Sequence, residues 1–232
     1  MRGTRGPGSL DFPFGSVHCF SFRHDIEVVH DLSFIRRRLA EQAAPEPRTA
    51  PGTRQAAVAI ILRPDVAGGE GSDVLFIKRA EKAGDPWSGH MAFPGGHREP
   101  ADPDLRAAAM RETLEEIGLD LGGADYLGAV AHQVASPRGR PLNMIISPHV
   151  FAIEGDPRFT PNYEVAEVLW CPLARLADNG WHDTETRPMA GRPTVFNGYR
   201  LAAGHFVWGL TYRMLKTFFT TLDPDWQPPP ER

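Results

Sequence analysis

The sequence predicts an α/β fold in which a mixed β-sheet is sandwiched between helices. Two observations carry this expectation. Short apolar, β-leaning runs come both before and after one strongly helical stretch, and the chain then closes on another helical pattern. The order strands, helix, strands, helix suits a sheet covered by helices on its two faces. No internal repeat interrupts that order.

Residues 1–16 read as a loosely attached arm. Across 25–42, Ile26, Val29, Leu32, Ile35 and Leu39 recur at three- and four-residue steps, with Arg36, Arg37 and Arg38 in the last turns, a helical pattern. Residues 43–53 read as a linker. The expected division is therefore an N-terminal arm and helix over 1–53, a main domain over 54–222 and a Pro-rich tail over 223–232. Within the main domain, 56–62 and 74–78 are β-leaning runs flanking a Gly- and Asp-rich turn, as in a hairpin. Residues 81–89 form a loop, and 91–93 a short strand running into a Pro94-Gly95-Gly96 turn. Residues 104–117 read as a helix, capped by Asp102 or Asp104 and ended by Gly118. Three strands follow at 126–134, 143–153 and 165–171, then a short helix at 172–178 and a further strand at 194–201. A closing helix spans 205–222, where Val207, Leu210, Met214, Leu215 and Phe218 keep helical spacing.

With 232 residues the chain can bury a sizeable core. Its formal net charge of −4 argues against wrapping DNA or RNA, although an acidic protein binds phosphates where metal ions supply the positive charge. No run approaches the ~18 consecutive apolar residues of a membrane span, and the N-terminus lacks an apolar signal region. Cys19 and Cys171 lie far apart and outside any metal-ligand spacing. Reduced thiols in a cytoplasmic protein are the expected state.

The chemistry concentrates in FPGGHREPADPDLRAAAMRETLEEIGL, residues 93–119. On a helix, Glu112 and Glu116 stand one turn apart and Glu115 three residues from Glu112, so three carboxylates share one face. They repel one another unless neutralised. Hard divalent cations such as Mg²⁺ or Mn²⁺ relieve that repulsion through carboxylate oxygens. Arg111 offers a charged fork to a carboxylate, and Gly95-Gly96 lets backbone approach closely. Glu-rich helix faces are also common as solvated surface. Arg, three Glu and Gly at these spacings, however, arise by chance on the order of 10⁻⁴ per chain, and the preceding Phe-Pro-Gly-Gly weighs further against accident.

This segment resembles the Nudix box, Gx5Ex7REUxEExGU with U aliphatic. Gly96 matches the first Gly, and Arg111, Glu112, Glu115, Glu116, Gly118 and Leu119 match the second half. Asp102 stands where Glu is usual, eight residues rather than seven separate it from Arg111, and Thr113 takes an aliphatic position. The one-residue expansion is a feature of the coenzyme A diphosphatase branch. That branch's upstream motif is partly matched by Leu75-Phe76-Ile77-Lys78-Arg79-Ala80 and by Gly89-His90-Met91-Ala92-Phe93-Pro94-Gly95-Gly96, across a loop longer by one residue. The resemblance covers about residues 54–220. It implies an α/β/α sandwich, with a mixed central sheet, that hydrolyses a nucleoside diphosphate linked to a group X with Mg²⁺ or Mn²⁺. Glu115 and Glu116 match the family's main metal ligands, Glu112 a ligand or the general base, and the Gly96 carbonyl a further ligand, while Arg111 orients Glu112. Glu164 and Glu167 are candidates for a carboxylate recruited from outside the box, the general base being Glu112 or one of these two, and Arg79 is a candidate for holding a phosphate.

The substrate this implies is coenzyme A or a thioester of it. ADP-ribose, a dinucleotide or a (deoxy)nucleoside triphosphate is the alternative, and a nucleotide-binding module without catalysis is a third reading that the intact carboxylates oppose. Arg36–Arg38 read as a solvated helix end. His90, His132, His149 and His205 read as structural or exposed, with His97 the best exception because it adjoins Gly96. Trp87 and Phe159 lie in loops where an aromatic can stack on a base, whereas Trp170 and Trp208 read as core. A homodimer using the N-terminal helix is compatible with the sequence.

Overall fold

The structure is a computed structural model that describes residues 31–42, 49–64, 71–85, 87–135, 142–189 and 191–231. Residues 25–30 of the expected first helix and Cys19 lie outside these. Helix α1 runs over Leu32–Glu41, capped by Asp31, whose Oδ1 accepts the Ser33 N–H at 3.1 Å. Its Ile35 and Leu39 are buried in the same core as the last helix. Arg36 is ion-paired with Asp125, and Arg38 donates from Nε to the Leu222 carbonyl at 2.6 Å. The arginine run therefore straps α1 onto the fold as well as facing water.

The main sheet is built on β1 (Arg54–Pro64) and β2 (Ser72–Arg79). They pair antiparallel at Leu62↔Val74, as a hairpin requires, and then diverge. The fork between them is filled by β3 (Met91–Ala92), which pairs with β2, and β4 (Gly95–His97), which pairs with β1. Between the two, the Ala59 N–H donates to the Pro94 carbonyl at 2.8 Å. The sequence reads 94–96 as a turn; the difference is that Gly95–His97 lie against β1 at Ala56–Val58, a long-range ladder that short spacing cannot reveal. Helix α2 (Leu105–Ile117) is capped by Asp104, which accepts the Ala107 N–H at 2.7 Å, and ends at Gly118 with φ of 70°. Asp102 is thus not the cap.

The expected strand over 126–134 is two strands, β5 (Asp125–Ala129) and β6 (Gln133–Val134), both on β7 (Met144–Ala152). β7 runs parallel to β1 along its length, which makes the sheet mixed. β8 (Val165–Pro172) pairs antiparallel with β2 and leads into α3 (Leu173–Ala177). Strand alternation divides the core. Ala57, Ala59, Ile61, Leu75 and Ile77 face α2, while Ala56, Ile60, Leu62, Val74 and Phe76 face α1, α3 and the last helix. Small residues on both sides, Ala57 and Ala59 against Ala108 and Ala109, are fully buried and let α2 sit close on β1. Thr113, also fully buried, satisfies its hydroxyl by donating to the Ala109 carbonyl at 2.7 Å.

A second sheet orders β11 (Phe206–Trp208), β10 (Arg192–Arg200) and β9 (His182–Met189). The expected helix over 205–222 begins only at Gly209. The Phe206–Trp208 run extends as a strand on β10, Gly209 turns at φ of 62°, and α4 covers Gly209–Leu222. Strand β9 escapes sequence reading because HDTETRPM shows no apolar alternation. It is an edge strand that tolerates Pro188 and is tied to β10 by Arg200, which bonds Asp183 at 3.0 Å and Glu185 at 2.6 Å. Cys171 is buried and free. No helix among the described residues is long and apolar enough to cross a membrane.

Candidate active site

The fork in the sheet brings a glycine pair under the α2 carboxylates. Gly95 has φ of 151°, and a Cβ there would lie 2.2 Å from the Ala57 carbonyl oxygen, so backbone packs on backbone at this point. Its N–H donates to Oε2 of Glu116 at 2.8 Å. A Cβ on Gly96 would lie 2.5 Å from the Glu112 carboxyl carbon, which places that carboxylate directly over the glycine.

Glu116 is buried because it shares the sheet-facing stripe of α2 with Ala109 and Thr113, seven and three residues earlier. Only 3% of it is exposed, and burial pushes its carboxyl from the ordinary 4.5 up to about 7, the Gly95 N–H and Arg79 opposing the rise. Nη1 of Arg79 stands 3.9 Å from Oε1, and Nη2 of Arg79 donates to Asp85 at 3.0 Å. Burial also raises the Glu112 carboxyl, against the attraction of Arg111.

Arg111 ties the cluster together. It donates from Nε and Nη2 to the two oxygens of Asp102, both at 3.1 Å, and from Nη2 to Glu112 at 3.0 Å and the His97 carbonyl at 2.9 Å. Nη1 reaches Glu115 at 3.2 Å. The hydrogen bond from Arg111 is the leading reason that the Asp102 carboxyl sits below the usual carboxylate range. Asp102 thus serves as the buried anchor of Arg111. Sequence reasoning missed that role, since a nine-residue separation carries no periodic signal. His97 contributes its carbonyl; its side chain is exposed.

The loop after β7 is pinned beside this cluster. Thr160 N–H donates to the Ile117 carbonyl at 2.8 Å, Asn162 N–H to the Glu116 carbonyl at 2.9 Å, and Ala80 N–H to the Glu164 carbonyl at 2.7 Å. Glu164 is close enough for its charge to act on Glu116. Glu167 is not brought to the cluster. It pairs across β8 with Lys78, bonding Lys78 Nζ at 3.1 Å and His205 Nε2 at 2.8 Å. Strand alternation puts Lys78 and Glu167 on the face away from α2, while Arg79 faces it. The aromatic expectations also shift. Phe159 packs against Trp170 with tilted rings, centroids 6.2 Å apart, and Trp87 packs on the core, whereas Trp208 lies at the rim against His90 at 4.7 Å.

The family model of the NUDIX domain matches residues 52–190. The chain belongs to the Nudix family. The uncharacterized Nudix hydrolase NudL of Cronobacter sakazakii is 30% identical over 173 residues, covering 73% of this chain and 83% of that protein. An uncharacterized protein of Schizosaccharomyces pombe is 39% identical over 107 residues, 44% of this chain; the match spans 32% of that longer relative. Among solved structures, a MutT/nudix family protein from Enterococcus faecalis shares 18% identity at a TM-score of 0.48, covering 82% of this chain and 68% of that one. As a Nudix hydrolase the chain is a pyrophosphohydrolase of a nucleoside diphosphate linked to a further group, in a family that generally uses divalent metal ions.

The Nudix donor set fits a hard cation. Among the described residues no three His, Cys, Asp or Glu side chains converge as a preformed cage, because Arg111 draws Glu112 and Glu115 toward itself. The Glu115 side chain is 55% exposed and held only by Arg111, Glu112 lies over Gly96, and Glu116 buries a carboxylate whose nearest cation, Arg79, stands 3.9 Å away and is shared with Asp85. All-oxygen donors of this kind suit a hard divalent cation.

Proposed function

We propose that this Nudix enzyme hydrolyses the diphosphate linkage of coenzyme A or an acyl-coenzyme A, giving 3′,5′-ADP and 4′-phosphopantetheine or its acylated form. The observation that carries the reaction class is the buried Glu116 carboxylate, set between the Gly95 N–H and Arg79. The choice of substrate is supported by the motif over 75–96 and by the eight-residue spacing from Asp102 to Arg111.

Glu112, Glu115, Glu116 and the Gly96 carbonyl are the groups to hold Mg²⁺ or Mn²⁺. Such a cation, when bound, lowers the pKa of the attacking water and neutralises charge on the leaving phosphate. Arg111 fixes Glu112 and Glu115 and does not touch substrate. Arg79, on the α2 side of β2, offers its guanidinium to a diphosphate oxygen. The water oxygen bonds to one phosphorus as the bridging P–O bond breaks, and one water proton passes to the Glu164 carboxylate.

A panel of coenzyme A, acetyl-coenzyme A, ADP-ribose, NADH, diadenosine polyphosphates and dNTPs, incubated with Mg²⁺ or Mn²⁺ and resolved by chromatography, tests the assignment. Preferred conversion of coenzyme A to the two named products is expected. Preference for another member of the panel overturns the substrate and leaves the chemistry in place.

A further inference from the structure

Among the described residues, three buried N–H donors without a hydrogen-bond partner belong to side chains that neighbour His90 or pack on its ring partner. They are Nε of Arg79, Nε of Arg187 and Nε1 of Trp208. The Trp208 ring packs on His90 with centroids 4.7 Å apart, and the Arg187 guanidinium carbon lies 4.8 Å from the Trp208 centroid. Arg79 donates its backbone N–H to the His90 carbonyl at 2.9 Å, and Arg187, Asp85 and Arg79 are the charges that act on the His90 ring.

These groups continue outward from the catalytic cluster. Arg79 is 3.9 Å from Glu116, β11 lies against β3 in the fork, and β3 carries the chain directly on from His90. In the second sheet, Phe196 is opposite Glu185 and Gly198 opposite Trp208, so the period of two puts Arg187, Phe196 and Trp208 on one face. Phe196 packs on Trp208 at 4.6 Å and holds the indole in place. Arg79 pairs with Asp85 and, more loosely, Glu116, and Arg187 with Glu185 at 2.7 Å, yet each leaves its Nε unsatisfied.

Folded proteins rarely leave one desolvated donor unpaired, and such groups call for an acceptor. Three in one cluster, two of them on guanidinium groups, match an acceptor with several anionic oxygens. We propose that Arg187, with the Trp208 indole N–H and Arg79, forms an anion site beside the catalytic cluster that takes a phosphoryl group of the substrate. The site rests on the reading that the substrate is a nucleoside diphosphate derivative, and it makes the second sheet part of substrate recognition.

Calorimetric binding of coenzyme A and of 3′-dephospho-coenzyme A to the whole chain, in chelator so that no turnover occurs, tests it. Arg187→Gln is expected to weaken binding roughly ten- to hundredfold, the loss of one charge-assisted contact. Arg187→Lys, which keeps the charge without the planar fork, should fall between, and guards against misfolding of the first variant. Arg175→Gln, on the remote α3 helix, should bind as wild type does. Weakening for coenzyme A alone places the 3′-phosphoryl group on Arg187, and weakening for both probes places the diphosphate there. Unchanged binding of both probes by the two Arg187 variants overturns the site, as does failure of the wild type to bind either. Absence of hydrolysis alongside intact, Arg187-dependent binding counts against the proposed reaction and not against the site.

Discussion

Arg111 grips both oxygens of Asp102, Nε on one and Nη2 on the other, each at 3.1 Å. The Asp102 side chain is 5% exposed, so this pair is the inner end of a strap whose outer end orders Glu112 and Glu115. Asp102→Ala leaves the guanidinium without its buried partner. A loss of about 3 kcal/mol of stability is expected in urea denaturation. Asp102→Asn, which keeps one acceptor, should lose less.

The two glycines of the fork separate stability from activity. Gly95→Ala drives a methyl into the Ala57 carbonyl, 2.2 Å away, and should destabilise the fold by several kcal/mol, on the order of 3. Gly96→Ala meets instead the Glu112 carboxylate at 2.5 Å, the far end of a flexible side chain. That variant should melt within a few degrees of wild type while kcat falls by roughly 10²-fold, because a displaced ligand spoils the alignment of the reacting groups.

Glu116 makes stability depend on pH in a direction opposite to that of a salt-bridged carboxylate. Its folded value of about 7 lies above the ordinary 4.5. Between these, the native state holds a proton that the unfolded chain has released, so stability is greatest at the acid end and falls as pH rises through the window. At ~1.4 kcal/mol per pH unit the fall is on the order of 3 kcal/mol. Thermal melts in chelator from pH 5 to pH 8 should drop by roughly 5–10 °C, and the Glu116→Gln protein should lack most of that drop. Mn²⁺ should stabilise wild type more at pH 8 than at pH 5, since protons compete for the same oxygens.

The two carboxylates beyond the box have different fates. Glu164 sits on the loop pinned to the end of α2, whereas Glu167 is bound to Lys78 and His205 on the opposite face. Glu164→Gln should lower kcat by about 10²–10⁴-fold, the usual range for removing a general base. Glu167→Gln should stay within about twofold of wild type. Steady-state kinetics with saturating Mg²⁺ distinguish them, and the reverse pattern would reassign the base.

Local signals made much of this legible. Asp104 and Gly118 bracket α2, the 56–62 and 74–78 runs pair as a hairpin, and the box spacing brings Glu112 and Glu116 over Gly95 and Gly96. What stayed hidden depends on long-range pairing. The fork that seats Gly95–His97 on β1 joins residues some forty positions apart. The choice between Glu164 and Glu167 turns on strand alternation and on a register shift between Lys78 and Arg79, which no residue pattern announces. Trp208 reads as core from its apolar neighbours, yet the extended Phe206–Trp208 run carries it to the rim beside His90.

In the proposed mechanism the α2 carboxylates serve cation-dependent hydrolysis of a diphosphate. The most direct test is turnover of coenzyme A by wild type and Glu116→Gln side by side, across a Mn²⁺ titration, with product identity read by mass spectrometry. Release of 3′,5′-ADP by wild type that saturates with Mn²⁺, and a loss of at least about 10³-fold in Glu116→Gln at every Mn²⁺ concentration, is the expected result. Equal rates in the two proteins, or wild-type turnover that persists in chelator, would contradict it.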